Sequence, residues 1–274
     1  MSVKEGIKFD SPESAKGIRA FIEFHNLKVD EILDPIESFA NFNQFFYRKL
    51  KPDARPVSDP DDPRTIVSTA DCRLMAFESV SEATRIWIKG REFTVGRLLG
   101  ERYKDEVQNY EGGALVIFRL APQVSFVHRF GRAQRALQDY HRFHTPVDGK
   151  IGPMTYISGE YYTVNPQAIR TQLDVYGENA RKIVPIDSPI FGRVFCACIG
   201  AMMVGTISTT VNEGEEVKRG QEFGYFAFGW FALSLNYAPL IIVQVDLPLS
   251  RYSRKERPCG IKTYSTTAKR HWKR

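Results

Sequence analysis

At 274 residues, with 43% hydrophobic and 26% charged residues, the chain is long enough for one large domain or two small ones and can bury a substantial core. No apolar run approaches the roughly 18 residues of a membrane span. The charged start MSVKEGIKFD lacks the apolar core of a secretory signal, so any membrane contact is expected to be peripheral. The net charge of +6 is concentrated between Arg251 and Arg274, where nine Lys/Arg face one Glu; this argues for a basic, solvated end and against a nucleic-acid-binding body.

In chain order, SPESAKGIRAFIEFHNL offers Ser11 or Ser14 as a cap, followed by Ile18, Phe21 and Ile22 at helical spacing. FANFNQFFYRKL predicts a second helix with Phe42, Phe45, Phe46 and Leu50 on one face, and the Pro- and Asp-rich KPDARPVSDPDDPRT predicts a loop. From Thr65 the pattern turns to strands. TIVSTADCRLMAF and TRIWIKGREFTV alternate, VGRLLGERYKDEVQNYEGG is a helical interlude, and ALVIFRLAP reads as a strand buried on both faces. GPMTYISGEYYTVNP and RKIVPIDSPIFGRVFCACIGAMMVGTISTTV continue the strands. NEGEEVKRGQEFGYFAFG, punctuated by Gly214, Gly220 and Gly224, has the signature of a hairpin. The fold class expected is α+β: one β-rich domain of sandwich- or barrel-like sheets, with helices at its N-terminal side.

Cys72, Cys196, Cys198 and Cys259 are too few and too scattered for a disulfide framework, and no second pair or histidine cluster completes a metal site. Buried free thiols are expected, and no metal. The densest chemical segment is DYHRFHTPVDGKI, where His141 and His144 lie three residues apart. Residues so spaced suit acid–base work, metal ligation or simple polar packing. Asp71, between apolar stretches in VSTADCRL, reads either as a strand-end residue or as a carboxylate orienting a histidine.

Taken together, FNQFFYRKLKPDARPV, VSTADCRLMAF, TRIWIKGREFTV, ALVIFRLAP, DYHRFHTPVDGKI, YTVNPQAIR, DVYGENARKIVPIDSPIFGRV, IGAMMVGTI and EEVKRGQEFGYFAFG resemble the phosphatidylserine decarboxylases, in the family's order and closest to its eukaryotic, fungal-type branch. The resemblance covers most of Gly6 to Gly229. It implies a proenzyme that cuts its own chain before the serine of a Gly-Ser sequence, turning that serine into a pyruvoyl group. This ketone takes up the substrate amine and accepts electrons as carbon dioxide leaves, converting phosphatidylserine to phosphatidylethanolamine. By motif, Asp71 and His144 resemble the acid and base that activate the serine, and His141 the histidine of decarboxylation. The resemblance further implies a cytoplasmic protein peripheral on an endomembrane, acting on an amine-bearing carboxylate, and a homodimer.

Two stretches depart from the family's wording. Val124–Gln138 (VSFVHRFGRAQRALQ) interrupts an otherwise continuous APQ-DYHRFHTP, and its ends admit the codons of an intron boundary. After Gly229 the chain reads Trp230-Phe231-Ala232-Leu233-Ser234, with no Gly-Ser dipeptide anywhere beyond it. Ser234 is a poor substitute, being preceded by Leu233 and several residues late. The chain is therefore divided into a decarboxylase-like domain, 1–229, containing the insertion 124–138, and an aberrant, disordered basic tail, 230–274. As written it is expected to be inactive. The insertion and the altered tail are expected to be retained intron or frame-shifted sequence, against the alternative of a genuine non-catalytic, lipid-binding pseudoenzyme. The further readings are a tryptophan-type amino-acid decarboxylase of the same family and a lipoyl-type module suggested by the Gly-punctuated hairpin alone.

Overall fold

The computed structural model describes residues 7–57, 59–77, 79–86, 93–110, 112–120, 140–164, 174–202, 204–228 and 240–245. The expected insertion (124–138), the segment with Trp230 and Ser234, Cys259 and the basic end lie outside the described residues.

The N-terminal layer is helical. Ser11 accepts a hydrogen bond from the Glu13 backbone and opens a 3-10 turn, Pro12–Gly17, which leads into helix α1, Ile18–His25. Helix α2, Phe42–Phe46, starts at Asn41, whose side chain accepts from the Gln44 N–H, the usual role of Asn at a helix start. Phe42, Phe45 and Phe46 are buried as expected, whereas Leu50 lies beyond the helix and forms an isolated bridge with Ile32.

The β region starts with β1, Cys72–Phe77, followed by helix α3, Val80–Ile86. The strand expected from Thr84 onward therefore begins as helix, and the reason is local. Ser79 accepts from the Glu82 N–H at 3.1 Å, the Ser-x-x-Glu start of a helix, and this outweighs the β-branched residues that follow. Helix α4, Val95–Leu99, is capped by Thr94 and stopped by Gly100 at φ 79; a 3-10 stretch, Glu101–Tyr110, completes the helical interlude. Then come β2, Ala114–Leu120; β3, Arg142–His144; β4, Gly149–Ile151; β5, Thr155–Ile157; and the short helix α5, Val175–Glu178. The remaining strands are β6, Arg181–Ser188; β7, Gly192–Ile199; β8, Thr206–Thr209; β9, Glu216–Val217; β10, Glu222–Ala227; and β11, Leu240–Val245.

Eight of these strands form one antiparallel sheet in the order β1-β2-β11-β7-β6-β4-β9, with β5 also on β6. The other three form a small antiparallel sheet, β3-β10-β8. This is the expected α+β class. The Gly-punctuated segment is not a hairpin, however. Gly214 and Gly220 do take the left-handed conformation of tight turns, but β9 pairs with β4 in the large sheet while β10 crosses to the small one.

Side chains alternate across the large sheet into two cores. Val116, Phe118, Cys196, Cys198 and Ile241 face the small sheet and the N-terminal phenylalanines. Leu115, Ile117, Phe195, Ala197 and Ile242 face Leu98, Leu99, Tyr103 and Tyr176 of the helical interlude and α5. β2 is thus covered on both faces, as its continuous apolar sequence predicts. β11 is a correction. Residues 240–245, assigned from sequence to a disordered tail, lie between β2 and β7 at the centre of the sheet, with Ile241 and Ile242 fully buried.

Candidate functional site

β3 and His141 just before it bring the two histidines beside β10, and they face different surroundings. The His141 carbonyl accepts from the Phe226 N–H at 2.9 Å, and its ring stacks on Phe46 with centroids 3.7 Å apart. Residues three apart on an extended chain point to opposite sides. His144, at the other end of β3, accordingly turns into a polar cavity of about 20 Å³ lined by Arg55, Ser68, Ala70, Asp71, Tyr140 and Gly220. The loop before β1 closes this cavity: the His144 N–H donates to the Thr69 carbonyl at 2.7 Å.

The hydrogen bonds of His144 fix its tautomer. Nδ1 lies 2.9 Å from the Gly220 carbonyl, which can only accept, so Nδ1 carries the proton and donates. Nε2 is left with its lone pair, 3.0 Å from the Tyr140 hydroxyl, which donates to it. Burial pulls the imidazole below its ordinary pKa, against the opposing effects of the Gly220 bond and the charges of Glu222 and Asp71. A neutral ring with one bare nitrogen is the form a general base needs. The same cavity pushes the Tyr140 hydroxyl well above its ordinary pKa by burial, so it remains a donor.

Asp71 shares this cavity, but its hydrogen bonds come from Arg55 and not from His144. Nε of Arg55 donates to both carboxylate oxygens at 3.0 Å and Nη2 to one at 2.7 Å, while Nη1 reaches Glu31 at 2.7 Å. Burial opposes the charge on Arg55, yet the bonds and charge of Asp71, then of Glu31, raise its pKa on balance. Asp71 thus acts on His144 through its field across the cavity. The orienting contact expected of a carboxylate is made by the Gly220 carbonyl. Tyr140 and Arg55 were not singled out in the sequence, and Gly220 was read only as a turn residue. Tyr140 and Arg55 lie within quoted motifs, but a backbone carbonyl leaves no residue-type signal.

At its far end, β10 runs into Phe228. Asn43, buried in α2, grips that residue on both sides of its backbone: Oδ1 accepts from the Phe228 N–H at 2.9 Å, and Nδ2 donates to the Phe228 carbonyl at 3.1 Å. Phe9, Phe42 and Phe46 surround the Phe228 ring. Cys72, Cys196 and Cys198 are buried free thiols; burial pushes Cys72 and Cys198 up to about 12. Among the described residues, no group of three or more His, Cys, Asp or Glu is placed to hold a metal ion, and no helix is long and apolar enough to cross a membrane.

The chain is an α+β domain of two antiparallel sheets, with His144 and Asp71 lining one cavity and His141 bonded through its backbone to β10. The family model for phosphatidylserine decarboxylase matches residues 42–131 and 134–229. The chain belongs to the phosphatidylserine decarboxylase family. It is 52% identical over 254 residues to phosphatidylserine decarboxylase proenzyme 3 of Schizosaccharomyces pombe, covering 93% of this chain and 24% of that protein. It is 49% identical over 230 residues to proenzyme 2 of Komagataella phaffii, covering 84% of this chain and 21% of that protein. The Fusobacterium nucleatum proenzyme is 38% identical over 224 residues, covering 82% of this chain and 68% of that protein. The chain therefore spans about a quarter or less of these fungal relatives and about two thirds of the bacterial one. The match to the family model breaks only between 131 and 134, inside the stretch read as an insertion, and ends at Gly229.

Proposed function

We propose that this chain is a phosphatidylserine decarboxylase domain that stays uncut, with the proton-transfer residues assembled and the cofactor-forming serine missing. The observation that carries the reading is the His144 geometry: Nδ1 is committed to the Gly220 carbonyl, and Nε2 keeps its lone pair, held by the Tyr140 hydroxyl in a cavity shared with Asp71. In this reading His144 is the base for self-cleavage, Asp71 supports the positive charge that His144 gains, and His141, nearer the end of β10, is the histidine of decarboxylation. A pyruvoyl group would supply the electron sink for carbon dioxide loss. The sequence does not fit its formation here, because Phe228 is followed by Gly229-Trp230-Phe231 and the chain contains no Gly-Ser dipeptide. No step through that group is assigned to this chain.

The substrate class follows the proenzymes' names: an amine-bearing carboxylate, phosphatidylserine first and a free amino acid second. Ile7, Phe24, Val29 and Leu33 are exposed on the N-terminal layer, where a peripheral contact with a lipid surface would cover them. The test is release of labelled carbon dioxide from carboxyl-labelled phosphatidylserine in liposomes. The chain as it stands should release none. The Trp230→Gly/Phe231→Ser double variant, which puts a Gly-Ser dipeptide behind Gly229, should release it. Release by the unaltered chain, or none by the variant despite self-cleavage, would contradict the reading.

A further inference from the structure

The Asn43 side chain both accepts from and donates to the backbone of one distant residue, as Asn179 does at Tyr162. A strand leaving a sheet presents an N–H and a C=O that need partners. Among the described residues, one buried amide supplies them at Phe228, using the acceptor and the donor of a single side chain. The amide is itself held. Nδ2 also donates to the Asp10 carboxylate at 2.7 Å, which fixes which end of the amide is oxygen and which nitrogen. The Phe228 ring is caged at the same point, stacked on Phe9 with centroids 4.5 Å apart and against Phe46 at 3.9 Å.

We propose that Asn43 is a positioning residue for the peptide segment that leaves β10, its amide fixing the backbone of Phe228 through both its N–H and its carbonyl. The proposal rests on the decarboxylase reading above, because Phe228 is the residue before Gly229, where that reading places the start of the self-cleaved segment. Self-cleavage needs the attacking hydroxyl and the preceding carbonyl in near-contact geometry, and a small displacement costs orders of magnitude in rate. A clamp on the entering backbone sets that geometry without touching the reacting atoms. It also gives the N-terminal helical layer a function: α2 and Asp10 hold the end of a strand nearly two hundred residues further along the chain.

The test has two readouts. The first uses the chain as it stands and follows amide hydrogen exchange at Phe228 and at Phe226, whose N–H is bonded to the His141 carbonyl. Asn43→Leu keeps the approximate shape of the side chain and removes both bonds. It should speed Phe228 exchange at least about tenfold and leave Phe226 within about twofold. Asn43→Asp combined with Asp10→Asn keeps the acceptor for the Phe228 N–H without setting two carboxylates against each other, and should hold Phe228 exchange near the parent value, which guards against a folding defect in the leucine variant. The second readout is the rate at which the Trp230→Gly/Phe231→Ser chain separates into two fragments. Adding Asn43→Leu should slow it at least about tenfold. Unchanged Phe228 exchange in Asn43→Leu would overturn the clamp, whatever the cleavage assay gives. Faster exchange with an unchanged cleavage rate would overturn its positioning role. A Trp230→Gly/Phe231→Ser chain that never cleaves with Asn43 present would count against the decarboxylase reading, while the exchange result still decides the clamp.

Discussion

Replacing Arg55 by Met should be the most disruptive single change near the cavity that leaves both histidines in place. The side chains of Arg55, Asp71 and Glu31 are 15%, 11% and 17% exposed, so the network is largely withdrawn from water. Arg55→Met deletes the three bonds to Asp71 and the one to Glu31, leaving the Asp71 carboxylate without its cation while Glu31 keeps Lys28 at 2.7 Å. Breaking a buried pair from one side costs about 3–5 kcal/mol, and the slight exposure here argues for the lower end. A loss of about 3 kcal/mol corresponds to a drop in Tm of roughly 6–12 °C for a chain of this size. Denaturant unfolding of Arg55→Met, alone and combined with Asp71→Asn, is the assay. The double variant should recover part of the loss, because it no longer leaves that carboxylate unpaired. The freed charge on Asp71 should also raise the His144 pKa, visible in an NMR titration. A loss below about 1 kcal/mol, typical of an exposed pair, together with an unmoved His144 titration, would refute this account of the cavity.

Tyr140→Phe removes the donor to Nε2 of the neutral His144 ring; it should cost about 1 kcal/mol and raise the His144 pKa. Because burial holds the folded His144 below its ordinary pKa, its contribution to stability is fully present above about pH 6.5 and is lost as pH falls through the lower folded value. Unfolding curves at pH 7.5 and pH 5 should therefore differ less in His144→Gln than in the parent. Gly220→Ala places a side chain at φ 78 and its Cβ 2.5 Å from Val57, so it should destabilise by at least about 1–2 kcal/mol in unfolding assays and disturb the His144 tautomer in imidazole nitrogen NMR. Ile242→Ala, in the middle of β11, should cost about 2–5 kcal/mol in denaturant unfolding; a cost near zero would remove β11 from the core.

What the sequence conveyed depended on how locally each feature is encoded. The doubly buried β2 and the phenylalanine face of α2 were legible because burial leaves an apolar pattern within a few residues. The turn at Gly220 was legible too, but not the partner of β10, since pairing in a small separate sheet depends on residues from β3 and β8. α3 was misread because β-branched residues after Glu82 masked the Ser79–Glu82 start. β11 was misread because the basic composition beyond Arg251 lent its character to the largely apolar Leu240–Val245 before it. At the site, the motif pointed to His141, His144 and Asp71. The tautomer of His144, the hold of Arg55 on Asp71 and the grip of Asn43 on Phe228 are contacts across 16 to 185 residues of chain.

The central claim is that the proton-transfer residues are assembled while the chain cannot convert a serine of its own into a cofactor. Intact-mass measurement of the purified protein, beside a denaturing gel, tests this most directly. The account predicts one unmodified species at 31.3 kDa that persists on incubation at neutral pH. Two fragments, the smaller beginning with a blocked, pyruvoyl-type N-terminus, would contradict it and would identify the residue that supplies the missing serine.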